Sequence, residues 1–196
     1  MTAPLISFDA RGWREEGNVD TGVWVWYTPD GDGVGLFEFN IPPDLPLAST
    51  LEKFRALSDE QAGAPHVELD FVEVAGRALV RRIVKTPQTP MGMTYIGSLT
   101  VPFSDRSFVL KVQCAERGLT GQREAILFDQ LVAEGVVRLT DGQVEGDWEP
   151  DHPRYDSEFP DHPVSRARRV LALLENSLVL DSTLHAEPVY QLPSPE

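Results

Sequence analysis

The fold is decided by the stretch Met93-Thr94-Tyr95-Ile96-Gly97-Ser98-Leu99-Thr100-Val101, in which apolar and polar side chains alternate. A period of two residues is typical of a β-strand with one buried face and one wet face. Tyr95, Leu99 and Val101 fall on the apolar side, together with Met93. The segment therefore predicts a strand of an antiparallel sheet, with Ser98 on its solvent side.

The same alternation continues before and after this strand. Val67, Leu69 and Phe71 alternate with acids, and a turn at 75–77 leads into a further strand over 78–85. After the turn at 102–106, the side chains on one face are Phe108, Leu110, Val112 and Cys114. Four strands with short connections predict an antiparallel meander. A thiol on its apolar face behaves as a small hydrophobic group, so no catalytic role is expected for the cysteine.

A hairpin and a helix precede the meander. Residues 22–28 and 34–39 are rich in β-branched and aromatic side chains, and turn-forming residues separate them. Ser49 is followed three residues later by Glu52, which predicts a capped helix over 50–62 that ends at 63–65. Its predicted apolar face consists of Leu51, Phe54 and Leu57.

Two more helices follow the meander. Thr120 is predicted to cap a helix over 121–134. Pro163 occupies the first position of a last helix. The apolar stripe of that helix comprises Val164, Ala167, Val170, Leu171, Leu174 and Leu178. Arg166, Arg168 and Arg169 lie off the stripe.

This order of elements predicts an α+β fold, an antiparallel sheet with helices packed on it. We expect residues 1–135 to form an α+β sandwich domain, with an acidic loop and a C-terminal helix, 136–196, docked on the same domain. The order over about residues 5–134, and the meander over 67–114, resemble the PsbP-like superfamily. That superfamily includes the photosystem II extrinsic subunit, a Ran-binding nuclear import factor and chaperones of type VI secretion effectors. The resemblance implies a non-enzymatic scaffold that binds another macromolecule.

The charge is unevenly distributed along the chain. Its 196 residues carry 31 acids and 17 bases, a net charge of −14, which disfavours binding to nucleic acid or to an anionic membrane. Residues 141–161, however, contain eight of the acids and a single base, Arg154. This segment has several prolines and neither a helical nor a strand period, so it is predicted to be an ordered surface loop.

The compartment is predicted from what the sequence lacks. No basic n-region opens the chain, and no apolar stretch approaches the roughly 20 residues that cross a bilayer. One cysteine excludes an internal disulfide. We expect a soluble, cytoplasmic protein.

The acidic segment is the predicted partner-binding site. Its candidate residues are Asp147, Trp148, Glu149, Asp151, Asp156 and Glu158. Acids steer a basic or mixed-charge partner, and a tryptophan that becomes buried supplies affinity. The sequence shows no catalytic constellation, and Gly97-Ser98 lacks the second glycine of a nucleophile elbow. We therefore expect a protein-binding protein of adaptor, chaperone or toxin-immunity type, without catalytic residues or cofactor and of undetermined oligomeric state.

Two Asp-His-Pro triplets leave an alternative open. Asp151, His152, Asp161 and His162 combine carboxylates with imidazoles, which are ligands of divalent metals in enzymes and metal-binding proteins. The same triplets are also ordinary turn and helix-cap sequences.

A basic cluster interrupts the acidic chain at Arg77, Arg81, Arg82 and Lys85. Three interpretations are open: the cluster neutralises the acidic loop internally, protects an edge strand, or binds an anionic ligand.

Overall fold

The computed structural model describes residues 4–19, 23–62, 66–188 and 190–192. Its strands are β1 Ile6–Ser7, β2 Arg14–Val19, β3 Val23–Tyr27, β4 Gly33–Phe39, β5 Glu68–Val74, β6 Arg77–Pro87, β7 Met93–Pro102, β8 Ser107–Ala115, β9 Val137–Thr140, β10 Gln143–Gly146 and β11 Val179–Leu180. Its helices are α1 Leu51–Ala62, α2 Gln122–Ala133 and α3 Pro163–Ser177, with single 3₁₀ turns at Pro153–Tyr155 and Ser182–Ala186. Among these residues, no helix is both long and apolar enough to cross a membrane.

Seven strands form one antiparallel sheet in the order β2-β3-β4-β8-β7-β6-β5. Strands β3 and β4 are the predicted hairpin, and β5 to β8 are the predicted meander, which confirms the α+β prediction. The predicted start of the hairpin at residue 22 lies outside the described residues. Two small ribbons complete the fold, one formed by β1 and β11 and the other by β9 and β10.

Helix α3 covers one face of the sheet through its predicted apolar stripe. Ala167, Leu171 and Leu174 are fully buried in one cluster with the strand residues. At Gly97 of β7, a Cβ atom would lie 2.9 Å from Cδ1 of Leu171 and 2.8 Å from Cγ1 of Val112. Because glycine has no side chain, the helix can approach the sheet this closely.

Helix α1 covers only part of the opposite face. Phe54 packs with Leu69 and Val80, and its ring meets that of Phe71 edge-on at a centroid distance of 5.0 Å. The predicted apolar residue Leu57 is instead 41% exposed. Among the described residues, Phe54 and Ser58 are the buried residues of α1, and no helix residue other than Phe54 joins this cluster.

Both predicted N-terminal caps need correction. Thr50, rather than Ser49, accepts a hydrogen bond from the amide of Lys53, at 3.3 Å. Helix α2 begins after Gly121, which adopts the left-handed conformation and provides no side-chain cap, so Thr120 does not cap it. The predicted end of α1 at 63–65 lies outside the described residues.

Arg166 and Arg168 lie off the apolar stripe of α3, yet the structure buries both, at 4% and 9% exposure. Two nitrogens of Arg166 donate to the carboxylate of Asp32, at 2.9 and 3.1 Å. Arg168 pairs with Glu68 of β5. Each guanidinium binds a carboxylate outside α3. A charged side chain can be buried when it is paired in this way.

The acidic segment is not a loop throughout, which corrects that prediction. Strands β9 and β10 form a hairpin, with Leu139 opposite Val144 and Arg138 opposite Glu145. The turn is Asp141-Gly142, and both residues have positive φ angles, 51° and 79°. Asp-Gly with two positive φ angles is the preferred two-residue hairpin turn.

We predict that Asp32→Asn destabilises the protein by about 3 kcal/mol, because it leaves the buried Arg166 without its counter-charge. Asp30→Asn is the matched control, since Asp30 pairs with Arg169 at 3.0 Å where both side chains are about half exposed. That exposed pair should contribute less than about 1 kcal/mol. Urea unfolding of both variants measures the difference, and equal losses would contradict the structural importance of the buried pair.

Candidate functional site

The eight acids of segment 141–161 divide into two groups. Asp151 and Asp156 are partly buried, and the six exposed acids are Asp141, Glu145, Asp147, Glu149, Glu158 and Asp161. The carboxylate of Asp151 accepts a hydrogen bond from the hydroxyl of Tyr95 at 2.7 Å and lies 3.1 Å from Nζ of Lys85. Burial and this carboxylate raise the pKa of Tyr95, so its hydroxyl remains a donor. The charge of Asp151 is therefore neutralised within the protein.

Asp156 also faces inward. Its Oδ1 atom accepts hydrogen bonds from Arg168 at 2.6 Å, from Ser165 at 2.9 Å and from Arg123 at 3.2 Å. Both arginines are largely buried. Of the six predicted partner-binding residues, Asp151 and Asp156 thus bind side chains inside the protein. The other four residues form no hydrogen bond or ion pair with Tyr95, Lys85 or the two buried arginines.

The buried arginines hold the backbone of the segment as well. Arg123, 1% exposed, donates to the carbonyl oxygens of Pro150 at 2.7 Å and His152 at 3.0 Å. Arg168 donates to the carbonyl oxygen of Asp151. A guanidinium carries five N–H donors in a rigid plane, so two side chains fix three successive carbonyl groups. These bonds fix the backbone at 150–152, directly after Trp148 and Glu149.

The β9–β10 hairpin presents an apolar pair amid acids. Leu139 and Val144 lie directly opposite each other and are 62% and 43% exposed. Around them in sequence lie the exposed carboxylates of Asp141, Glu145, Asp147 and Glu149. We call these six residues, together with Trp148, the acidic hairpin surface. Exposed apolar groups rimmed by charge are typical of protein-binding sites.

Trp148 is half-buried and anchors this surface. Its ring meets that of Phe128 of α2 edge-on, with 5.6 Å between centroids. Together with Glu149 it also lines a groove of about 660 Å³, whose apolar wall includes Val67 and Met93. The predicted residues Asp147, Trp148 and Glu149 therefore lie together, whereas Glu158 lines a separate cleft beside α3.

The two Asp-His-Pro triplets act as helix caps. Nδ1 of His152 accepts a hydrogen bond from the amide of Arg154 at 3.1 Å, and Nδ1 of His162 accepts one from Val164 at 3.4 Å. Asp151 is engaged elsewhere, as described above. The structure does not bring the four predicted metal ligands together. Among the described residues, the group with metal-ligand spacing is instead Glu116, Glu124 and His162, with ligand atoms within 4.8 Å of one another.

The hydrogen bond at Nδ1 of His162 disfavours metal binding by Glu116, Glu124 and His162. Its Nδ1 accepts from an amide, so in the neutral ring Nε2 carries the proton. Nε2 of His162 and Oε2 of Glu124 are both buried and have no partner within the described part of the chain. A metal on Nε2 would move the ring proton to Nδ1, against the amide of Val164. The arrangement therefore favours a protonated Nε2 that faces the carboxylates of Glu116 and Glu124, rather than a cation bound among the three side chains.

Two further predictions concern the sheet. Ser98 was expected to face solvent, but it is 2% exposed because the side chain of Arg82 covers it and donates to its hydroxyl at 3.0 Å.

Cys114 is buried as expected, and burial raises the pKa of its thiol, which keeps it unreactive.

The basic cluster separates onto the two faces of the sheet. Lys85 pairs with Asp151, and Arg81 pairs with Glu68 and Glu175 on the face covered by α3. The contact of Lys85 fits the interpretation that the cluster neutralises the acidic segment, whereas the partners of Arg81 lie outside that segment and Arg82 bonds only Ser98 on the other face.

Sequence reasoning missed Glu116 and Glu124 entirely. They belong to the end of the meander and to α2, and they approach His162 only because α3 packs on the sheet. No spacing along the chain predicts such a meeting. The buried Arg123 was missed for the same reason, because its partners lie 27 to 42 residues away.

No protein-family model matches the chain, and no curated protein is similar to it in sequence. Among solved structures it is similar to a protein of Bacteroides thetaiotaomicron VPI-5482, with 10% sequence identity and a TM-score of 0.38. The match covers 74% of this chain and 46% of that one. A likeness at this level carries no argument about function.

We predict that His162 contributes to loss of stability in mild acid. Burial, and secondarily Arg123, lowers its pKa from 6.5 to about 4, while Glu124, Asp151 and Glu116 act in the opposite direction. Between these pH values the unfolded chain binds a proton that the folded protein does not, so stability falls as the pH falls from 6.5 to 4.

The test compares melting temperatures across this range in His162→Asn and in wild type. Asparagine is a good N-cap and does not titrate, so the variant should show a shallower fall. His152→Asn makes the same change at an exposed cap and should follow the wild-type profile. If the melting temperatures of all three proteins fell in parallel with pH, His162 would not be the group that causes the loss of stability.

Proposed function

We propose that the protein is a non-enzymatic binding protein, of adaptor, chaperone or toxin-immunity type, that engages a basic or mixed-charge protein partner through the acidic hairpin surface. The observation that carries the proposal is the exposed pair Leu139 and Val144 on the β9–β10 hairpin, in a segment where four exposed carboxylates lie within five residues of Val144 along the chain. The resemblance to PsbP-like proteins, drawn from element order, implies the same class of function.

The charges of this surface are available to a partner. Glu145 and Glu149 are exposed and have no ion pair among the described residues. Asp147 lies 3.5 Å from Arg154, but both side chains are about half exposed, and such pairs contribute little. Uncompensated acids attract a basic partner over several ångströms and raise the association rate.

The apolar residues of this surface supply binding affinity, which exposed charges contribute little to. Binding affinity comes mainly from side chains that lose water in the complex, and tryptophan is prominent among them. Trp148 is held in place by Phe128 and by the arginine-bound backbone that follows it. A preformed contact costs little ordering entropy on association.

We expect a partner captured from an extract of the source cells to depend on this surface. Immobilised protein should retain it at about 50 mM salt and release it at about 500 mM, because salt screens exposed charges. The double variant Glu145→Lys/Glu149→Lys should fail to retain it. The control, Glu52→Lys/Glu60→Lys, changes the net charge equally on α1, where both glutamates are exposed.

If both double variants retained the partner equally, the partner would bind outside the acidic hairpin surface, and the proposal would be contradicted. For a captured partner, Leu139→Ser should weaken the affinity at least tenfold, since burial of a leucine side chain contributes about 1.5–3 kcal/mol. Leu47→Ser is the matched control, at a leucine that is 88% exposed and precedes α1.

A further inference from the structure

The face of the sheet opposite α3 contains a groove that the proposed function does not use. It has a volume of about 420 Å³ and lies between the strands, α1 and the proline-rich segment 41–46. Its apolar lining includes Phe39, Leu45, Phe54, Val80 and Val109. Volumes of this size are typical of small-molecule sites.

Arg82 lies in this groove without a counter-charge. Its Nε atom donates to the hydroxyl of Ser98 at 3.0 Å, and it forms no ion pair with any described residue. Burial lowers its pKa, which reflects the cost of removing a cation from water. In this respect it differs from Arg81, the next residue, which pairs with Glu68 and Glu175 on the other face.

A second cation lies in the same row of the sheet. Ser98 pairs with Arg82 on one side and with Lys111 on the other, so the two cations are separated by one strand. Lys111 is exposed, with its Nζ atom 5.4 Å from the centre of the Phe37 ring, and it too has no ion pair within the described residues. The acid in the lining, Asp44, accepts a hydrogen bond from Gln61 at 2.9 Å.

The groove thus joins an apolar floor to two cations in a protein of net charge −14. Among the described residues, the three buried arginines, Arg123, Arg166 and Arg168, each pair with a carboxylate, whereas the half-buried Arg82 does not. An uncompensated guanidinium beside an apolar cavity is complementary to a molecule that supplies both hydrocarbon and negative charge.

We propose that this groove binds an amphiphilic carboxylate of the fatty-acid type. The carboxylate accepts hydrogen bonds from the Arg82 guanidinium, with Lys111 as a second cation nearby. The hydrocarbon chain lies over Phe54, Val80 and Val109. This site is independent of the acidic hairpin surface, and each can fail without the other.

Calorimetric titration with decanoate, below its micellar concentration, tests the charge requirement. Wild type should bind decanoate at least tenfold more tightly than 1-decanol, which has the same chain length and no charge. Equal affinities, or no binding of decanoate, would overturn the proposal. A hexapeptide of apolar residues with a free C-terminal carboxylate forms a third arm. Tighter binding of the peptide than of decanoate would overturn the choice of a fatty acid.

Variants then locate the site. Arg82→Met should weaken decanoate binding tenfold or more and leave 1-decanol binding unchanged, whereas Arg82→Lys should restore part of the affinity. Arg138→Met removes an arginine from the exposed hairpin and should leave both affinities unchanged. An equal loss in Arg138→Met would overturn the assignment.

Folding of the Arg82 variant is checked by its melting temperature without ligand. Arg82→Met loses no ion pair, only the hydrogen bond to Ser98, so its melting temperature should fall by only a few degrees. Decanoate should raise the melting temperature of wild type and not that of Arg82→Met. A rise of the same size in both proteins would place the ligand elsewhere.

Discussion

The guanidinium groups of Arg123 from α2 and Arg168 from α3 meet at one oxygen of Asp156 in the acidic segment, at 3.2 and 2.6 Å. From this point they also donate to the backbone carbonyls of 150–152. Cations so deeply buried are tolerated only when carboxylates and carbonyl oxygens surround them. Asp156 is therefore required by the structure, whereas the six exposed acids of the segment compensate no buried arginine.

This constraint sorts the acids of the segment by role. Asp156, which compensates Arg123 and Arg168, and Asp151, which pairs with Lys85, lie inward, and the other six acids are exposed. Because the backbone is fixed from residue 150 onward, the chain before it is presented from a rigid base. Rigid presentation is what turns an excess of charge into a surface of definite shape, which a mobile acidic loop would lack. The function proposed for Trp148 and the β9–β10 hairpin depends on that base.

The elements predicted correctly are those whose pattern is local. The alternation in β7 and the stripe of α3 depend on which side chains one face presents, and a period along the chain records this directly. The errors arose from contacts between distant residues: Arg166 meets Asp32 across 134 positions, and Ser98 is covered by a side chain of β6. The β9–β10 hairpin was missed because each strand has only four residues and carries one or two apolar side chains, which is too short a pattern to mark a strand, although an Asp-Gly pair is typical of a hairpin turn.

The two faces of the sheet differ in how their charge is balanced. On the α3 side every buried cation discussed above has a carboxylate partner, and the surplus acids extend outward on the hairpin. On the opposite face Arg82 and Lys111 lack such partners within the described residues. The charged residues that line the groove are Arg82, Lys111 and Asp44, so its own lining carries a net positive charge. Solvent ions screen exposed acids elsewhere on the surface over about 8 Å at physiological ionic strength. A strongly acidic protein can therefore carry a site for a carboxylate.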